Sequence, residues 1–359
     1  MVRRVQAPSR ILLDWFDHHQ RQFPWRAIPG EIMDPYWVWL SEIMLQQTTT
    51  ITVRGYFEDF VSRWPSIEDL AAAELDAVLH AWQGLGYYAR ARNLHKCAKL
   101  ISKEYGGKFP ETEEALIKLP GIGPYTAAAI SAIAFGHIAT PVDGNVERVT
   151  SRLHRVSKSL PGAKDYLKEK ATEFTPSERS GDYAQAVMDL GATICTPRKP
   201  NCPLCPWSYI CKAYLAGDAE KFPKRVPQTR IPTRYASVYW LLDGRGNVLL
   251  RRREEKGLLG GMMEFPSTDW LEEKIPTKET FRLAPAVVDW QVLSGKVRHT
   301  FTHFHLELKV LKGMAEEEMV TDGVWCEIDK LDKYALPTLM KKVCAHAAAQ
   351  SPGILKPGY

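Results

Sequence analysis

"LPGIGPYTAAAISAIAFGHIATPVDGN" (residues 119–145) opens on a glycine-pinned turn, runs into a stretch of small residues and closes on an Asp-Gly-Asn turn. Gly121 and Gly123 are expected where the backbone takes positive φ or lets another segment approach closely. Pro124 suits the first turn of a helix, because its missing N–H would have no partner there anyway. "YTAAAISAIAF" then reads as a compact helix whose unpaired first-turn amides can take an anion such as a phosphate. Taken alone, the turn can equally be a tight link between two packed helices. Asp143 alone reads as a helix cap or turn residue.

The chain of 359 residues is long for one core, so two domains are expected. Hydrophobic residues make up 45% and charged ones 25%, the balance of a soluble globular protein. A net charge of +5 fits a nucleic-acid partner but does not separate one from many ordinary enzymes. No apolar run reaches membrane-span length, and "MVRRVQAPSRILL" lacks a signal-like core, so the expectation is a cytoplasmic protein without a membrane partner.

From Trp15 to about Leu215 apolar residues recur at helical spacing, and "SIEDLAAAELDAVLHAW" begins with a serine cap. "GDAEKFPKRVPQTRIPTR" follows, rich in proline and basic residues, and reads as a stiff, solvated connector. Beyond it, "YASVYWLL-DGRGN-VLLRRR" is a hairpin signal and "WQVLSGKVRHTFTHFHLELKVL" promises two or three more strands, with a helix near Leu336–Ala349. The expected domains are therefore a helical one over 1–217, a linker over 218–234 and a smaller α+β one over 235–359.

Of the seven cysteines, four crowd into "CTPRKPNCPLCPWSYIC" as C-x6-C-x2-C-x5-C: Cys195, Cys202, Cys205 and Cys211. In a cytosolic chain that argues for a metal site rather than disulfides. Ligand type alone leaves zinc and [4Fe–4S] both open. Arg198 and Lys199, between the first two cysteines, are suited to meet phosphates. In "WVWLSEIMLQQT", Glu42 sits among apolar neighbours, either as ion-paired structure or as an acid kept protonated by desolvation.

The cysteine spacing resembles the cluster loop of the endonuclease III superfamily of DNA glycosylases, and "LPGIGPYTA" resembles its helix-hairpin-helix motif. "LSEIMLQQT", "FPWR", "GLGYYARARNLH" and "VDGNVERV" resemble the MutY-type adenine glycosylases over nearly the whole chain. The resemblance implies a mainly α helix-hairpin-helix glycosylase domain carrying a [4Fe–4S] cluster, and a Nudix-like C-terminal domain. The substrate it implies is a DNA duplex with adenine opposite 8-oxoguanine or guanine; a bacterial, nucleoid-associated monomer is expected. It further implies Glu42 as general acid, Asp143 as the anion facing the sugar, Asn145 orienting Asp143, and Tyr125 beside the pair. Relatives that nick the strand carry a lysine where this chain has Tyr125, and a phenol cannot form an imine, so base removal without β-elimination is expected. Gln47, Leu85 and Tyr87 are implied to fill the duplex beside 8-oxoguanine. Trp25, Arg26, Arg21 and Gln185 are implied around the flipped adenine. Two departures stand out: "AIPGEIM" after Arg26 is longer than usual, and "TTT" follows Gln47.

"GLLGGMMEFP" resembles the Nudix-like domain of the same family. Glu272, Glu273 and Glu279 lack the arginine-led spacing of a Nudix metal box, and Pro276 interrupts the helix it needs. A reader rather than a hydrolase is expected, using Phe301, Thr302 and His303 where the family has Phe-Ser-His; the Thr302 hydroxyl can accept from the N7 hydrogen of 8-oxoguanine. The rival readings are an endonuclease III-like oxidised-pyrimidine glycosylase/lyase, a Nudix hydrolase and a non-enzymatic iron–sulfur DNA binder.

Overall fold

Short polar residues and prolines start most helices in the first two hundred residues of this computed structural model, which describes residues 7–227, 230–316 and 323–350. Proline opens the helices Pro8–His19, Pro35–Leu45 and Pro124–Phe135. Side-chain caps add to this: Asp34 accepts from the Tyr36 amide at the start of Pro35–Leu45, and Ser66 forms a reciprocal capping box with Asp69 ahead of Ile67–Ala72. The chain divides into two compact units, residues 1–73 with 93–228 and residues 74–92 with 229–359.

The first unit is helical. Leu12 and Phe16 from the first helix pack with Val146, Val149 and Leu153 of Gly144–His154, with Val187 and Leu190 of Ser180–Thr193, and with Trp207. Pro35–Leu45 and Pro124–Phe135 are buried on nearly every face, and Pro124–Phe135 achieves this with alanines that let neighbouring backbones approach. The connector read as solvated is partly core. Phe222 is buried with Ala213 and Ala219, the Leu160 amide donates to the Lys224 carbonyl at 2.8 Å, and Arg152 Nε donates to the Phe222 carbonyl at 3.1 Å. One aromatic ring outweighs the polar residues around it. Gln228 and Thr229 of that stretch lie outside the described residues.

The second unit is built on a seven-stranded mixed sheet. Its strands are β1 (Thr233–Leu242), β2 (Asn247–Arg252), β3 (Met263–Glu264), β4 (Gln291–Val292), β5 (Val297–Thr300), β6 (His305–Met314) and β7 (Val324–Glu327). The order β3-β2-β1-β6-β4 has β1 and β6 parallel, from Thr233 opposite His305 to Leu242 opposite Met314, while β5 pairs with β6 and β7 with β2. Alternation sends Val238 and Trp240 into a core with Leu339, Met340 and Val343 of the helix Thr338–Ala349. Tyr239 and Leu241 point the other way, onto Trp290 and Leu311. The β1–β2 hairpin is held by Asp243, which accepts from the amides of Arg245 at 2.9 Å and Asn247 at 2.7 Å.

Residues 74–92 group with this sheet rather than with the helices that flank them in sequence. Asp76 pairs with Arg252 at 2.7 Å, and the side chains of His80 and Gln83 bond the carbonyls of Asp332 and Tyr334, each at 2.8 Å. These polar contacts span long sequence separations and leave no mark on hydrophobic periodicity.

Candidate active site

The Pro35–Leu45 helix leaves Glu42 no solvated face to occupy. Glu42 is 8% exposed, and burial raises its pKa from 4.5 to about 7; a hydrogen bond from Tyr125 and the charge of Arg26 oppose the rise, while Asp143 adds to it. Tyr125 comes from the helix after the glycine turn, and burial first, then the two carboxylates, keeps its phenol neutral far above 10. Its hydroxyl also faces Met188 Sδ at 3.9 Å.

Asp143 is the N-cap of Gly144–His154. Its Oδ1 accepts from the amides of Asn145 at 2.9 Å and Val146 at 2.8 Å, and its Oδ2 accepts from Asn145 Nδ2 at 2.7 Å. The cap reading and the site reading therefore describe one side chain. Arg148 holds Asn145 in turn, donating from Nη2 to Asn145 Oδ1 at 2.8 Å and to the Gly191 carbonyl at 2.7 Å. A Cβ on Gly191 would stand 2.7 Å from Asn145 Cβ, so glycine is what lets the Ser180–Thr193 helix come this close.

Glu42, Tyr125, Asp143 and Asn145 open into one cavity of about 890 Å³ within the first unit. Arg21, Trp25, Arg26, Gln47, Gly121, Gly123 and Gln185 line it as well. Trp25 is buried and stacks on Phe23 with ring centroids 4.9 Å apart. Gln185, on a helix buried nearly all round, is itself buried. Gln47 has a left-handed backbone at φ 58°. The long loop after Arg26 is tied down where the Gly30 amide donates to Asp182 Oδ2 at 2.9 Å.

Only one of the two turn glycines meets the expectation. Gly121 is left-handed at φ +79°, and a Cβ there would meet Asn93 Cβ at 2.8 Å. Gly123 is extended at φ −96°, with nothing within 4 Å of an added Cβ, so neither strain nor packing demands glycine there. It caps the Pro124–Phe135 helix with an open backbone, beside first-turn amides that lack helical partners.

Sequence reasoning missed Asp189. Fully buried, its carboxylate accepts from Arg21 Nε at 2.6 Å, from the Arg21 amide at 3.0 Å, and from Arg26 Nη1 and Nη2 at 2.7 and 3.0 Å. Its signal was an acidic residue in an otherwise apolar helical stretch, the same signal that marked Glu42.

The remaining residues lie elsewhere. Leu85 is buried and Tyr87 exposed, both within the second unit, where the Tyr87 and Thr302 hydroxyls hydrogen-bond each other. Phe301 stacks on Trp270 with centroids 5.4 Å apart, while Thr302 and His303 are exposed. Glu272 and Glu273 precede a short helix, Thr277–Arg282, that starts after Pro276, and Glu279 is paired with Arg282 at 2.6 Å.

Cys195, Cys202, Cys205 and Cys211 are free thiols, all partly exposed, and lie near enough to influence one another electrostatically. Backbone amides of Trp207, Ala213 and Tyr214 point at the Cys205 and Cys211 sulfurs, and Arg152 Nη1 lies 3.3 Å from Cys195 Sγ. Among the described residues no three His, Cys, Asp or Glu side chains close around a single metal ion. Four soft donors ringed by N–H groups fit a thiolate-ligated cluster. Arg198 and Lys199 are exposed on the same loop.

Residues 40–176 match the family model for the HhH-GPD superfamily of base excision DNA repair proteins, and residues 237–346 match a NUDIX domain. The chain is 35% identical to the adenine DNA glycosylase of Homo sapiens, over 98% of this chain and 76% of the relative. It is 32% identical to that of Buchnera aphidicola subsp. Schizaphis graminum, over 93% and 97%. A solved thermostable thymine-DNA glycosylase superposes with a TM-score of 0.53 at 32% identity, covering 58% of this chain and 95% of that one.

Proposed function

Because the chain belongs to the adenine DNA glycosylases, enzymes of base excision repair, we propose that it hydrolyses the N-glycosidic bond of adenine mispaired with 8-oxoguanine or guanine, using Glu42 and Asp143. The observation that carries the reading is a buried carboxyl with a pKa near 7 sharing a cavity with a second, hydrogen-bonded carboxylate. Two carboxyl groups in unlike surroundings are what glycoside hydrolysis uses for acid and anion.

Glu42, still partly protonated at neutral pH, gives its proton to N7 of the extruded adenine. The C1′–N9 bond breaks with its electrons leaving on the base. Asp143 Oδ2, held by Asn145, steadies the oxocarbenium ion. Water adds to C1′ and passes a proton to the Glu42 carboxylate, which restores the acid. Tyr125 donates to Glu42 and has no amine with which to form a Schiff base, so the strand stays intact. Gln185, Trp25 and Arg26 bound the base, and the open backbone at Gly121–Gly123 suits a DNA phosphate. Phe301, Thr302 and His303 form the reading surface for 8-oxoguanine, with Gln47, Leu85 and Tyr87 filling the duplex beside it.

The four cysteines of the 195–211 loop are the ligands proposed for a [4Fe–4S] cluster. When bound, it would cross-link the loop and hold Arg198 and Lys199 toward phosphate without entering the hydrolysis. Iron and acid-labile sulfide analysis of purified protein tests this.

The decisive experiment uses a duplex with adenine opposite 8-oxoguanine, assayed for strand breaks before and after hot alkali. Breaks are expected after alkali only, and Glu42→Gln is expected to bind the duplex without excising. Excision by that variant at the wild-type rate overturns the assignment.

A further inference from the structure

The cavity wall carries two guanidinium groups and, behind them, one carboxylate. Arg26 and Arg21 both bond Asp189, Arg26 through a two-pronged pair and Arg21 through Nε and its backbone amide. The guanidiniums lie 5.0 and 5.2 Å from the centroid of the same Phe23 ring. The Asp189 side chain has no exposed surface, that of Arg26 is 8% exposed and that of Arg21 is 27% exposed. A fully buried carboxylate is costly unless its partners are fixed, so the trio is rigid and carries one net positive charge.

We propose that Asp189 is a positioning residue for adenine excision: it fixes the Arg26 guanidinium in the cavity that Glu42 shares and cancels one of the two positive charges that Arg26 and Arg21 bring to the cavity wall. The proposal rests on the reading of Glu42 as the acid and deepens it. The charged and titratable groups around Glu42 are few: Tyr125 from the Pro124–Phe135 helix, Asp143 at the cap of Gly144–His154, and Arg26 from the loop before its own helix. Asp189, from Ser180–Thr193, acts only through Arg26 and Arg21. With two cations against one anion, Arg26 lowers the proton affinity of Glu42 only moderately. Without the anion, two uncompensated cations would strip the proton at lower pH, when the acid is still needed.

The test is the pH dependence of single-turnover excision, whose fall at high pH reports loss of the Glu42 proton. Asp189→Asn is expected to move that fall to lower pH by roughly one unit, the scale of one extra charge roughly ten ångströms away at an effective dielectric near 20. Arg21→Gln with Asp189→Asn restores the native charge count and is expected to return the profile to its wild-type position. A purely structural role for Asp189 would lower the rate at every pH and would not be rescued by losing a second partner. Should Asp189→Asn fail to fold, Arg21→Gln alone keeps the Arg26–Asp189 pair and is expected to move the fall to higher pH. An unmoved profile in the variant that folds overturns the proposal while leaving the acid assignment standing, provided Glu42→Gln is inactive. An active Glu42→Gln overturns both.

Discussion

Burial holds the Glu42 carboxyl at a pKa of about 7 in the native protein, against an ordinary 4.5 in an open chain. Between those values the folded state keeps a proton that the unfolded state has released, so this group makes the protein less stable as pH rises, and the loss is complete above about pH 7. At 1.36 kcal/mol per unit, the loss amounts to about 3 kcal/mol. Glu42→Gln cannot titrate and lacks this slope. For a unit of this size 1 kcal/mol corresponds to roughly 2–4 °C, so the variant should gain about 6–12 °C over wild type between pH 4 and pH 8. Thermal melts followed by circular dichroism at both pH values measure the gain, with excision assayed on the same preparations. The variant should be more stable in alkali and inactive. Parallel dependence of Tm on pH in the two proteins would mean that Glu42 is not held protonated by its surroundings, and the acid role would lose its basis.

Other perturbations have equally definite outcomes. The hydrogen bond from Tyr125 lowers the Glu42 pKa, so Tyr125→Phe should shift the high-pH fall of single-turnover excision to higher pH; an unchanged profile would sever Tyr125 from Glu42. Thr302→Ala should reduce preference for adenine opposite 8-oxoguanine over adenine opposite guanine in competition assays, and an undiminished preference would remove Thr302 from the reading surface. Gly121→Ala meets a left-handed backbone and Asn93 Cβ at 2.8 Å, so it should cost about 1–3 kcal/mol in chemical denaturation. Gly123→Ala meets neither obstacle and should leave stability alone while weakening duplex binding; wild-type affinity would mean that no phosphate approaches there.

How much of this was legible in the sequence varied with the physics involved. Helix starts follow from local chemistry, so Pro124 and the Ser66 cap could be read directly. Glu42 and Asp143 stood out because a carboxylate in apolar surroundings and an isolated Asp-Gly-Asn turn are local anomalies. Asp189 is the same kind of anomaly, yet its meaning depends on Arg21 and Arg26, more than 160 residues away. The burial of Gln185 escaped notice for a similar reason: a helix enclosed on all sides has no polar face for periodicity to expose. Phe222 was hidden among prolines and lysines, and residues 74–92 join the sheet through scattered polar contacts that composition does not reveal. Gly123 misled in the opposite direction, since two glycines in one turn suggest a shared constraint and only Gly121 bears it.

The carboxylate proposed to face the reacting sugar is also the stopper of a helix, its oxygens taken by two main-chain amides and one side-chain amide. Alanine scanning at position 143 would thus conflate chemistry with architecture, because it unravels a first turn as well as deleting a charge. Asparagine keeps the two main-chain bonds of the stopper and discards the charge, but it sets its own amide against Asn145 Nδ2 and so gives up the third bond.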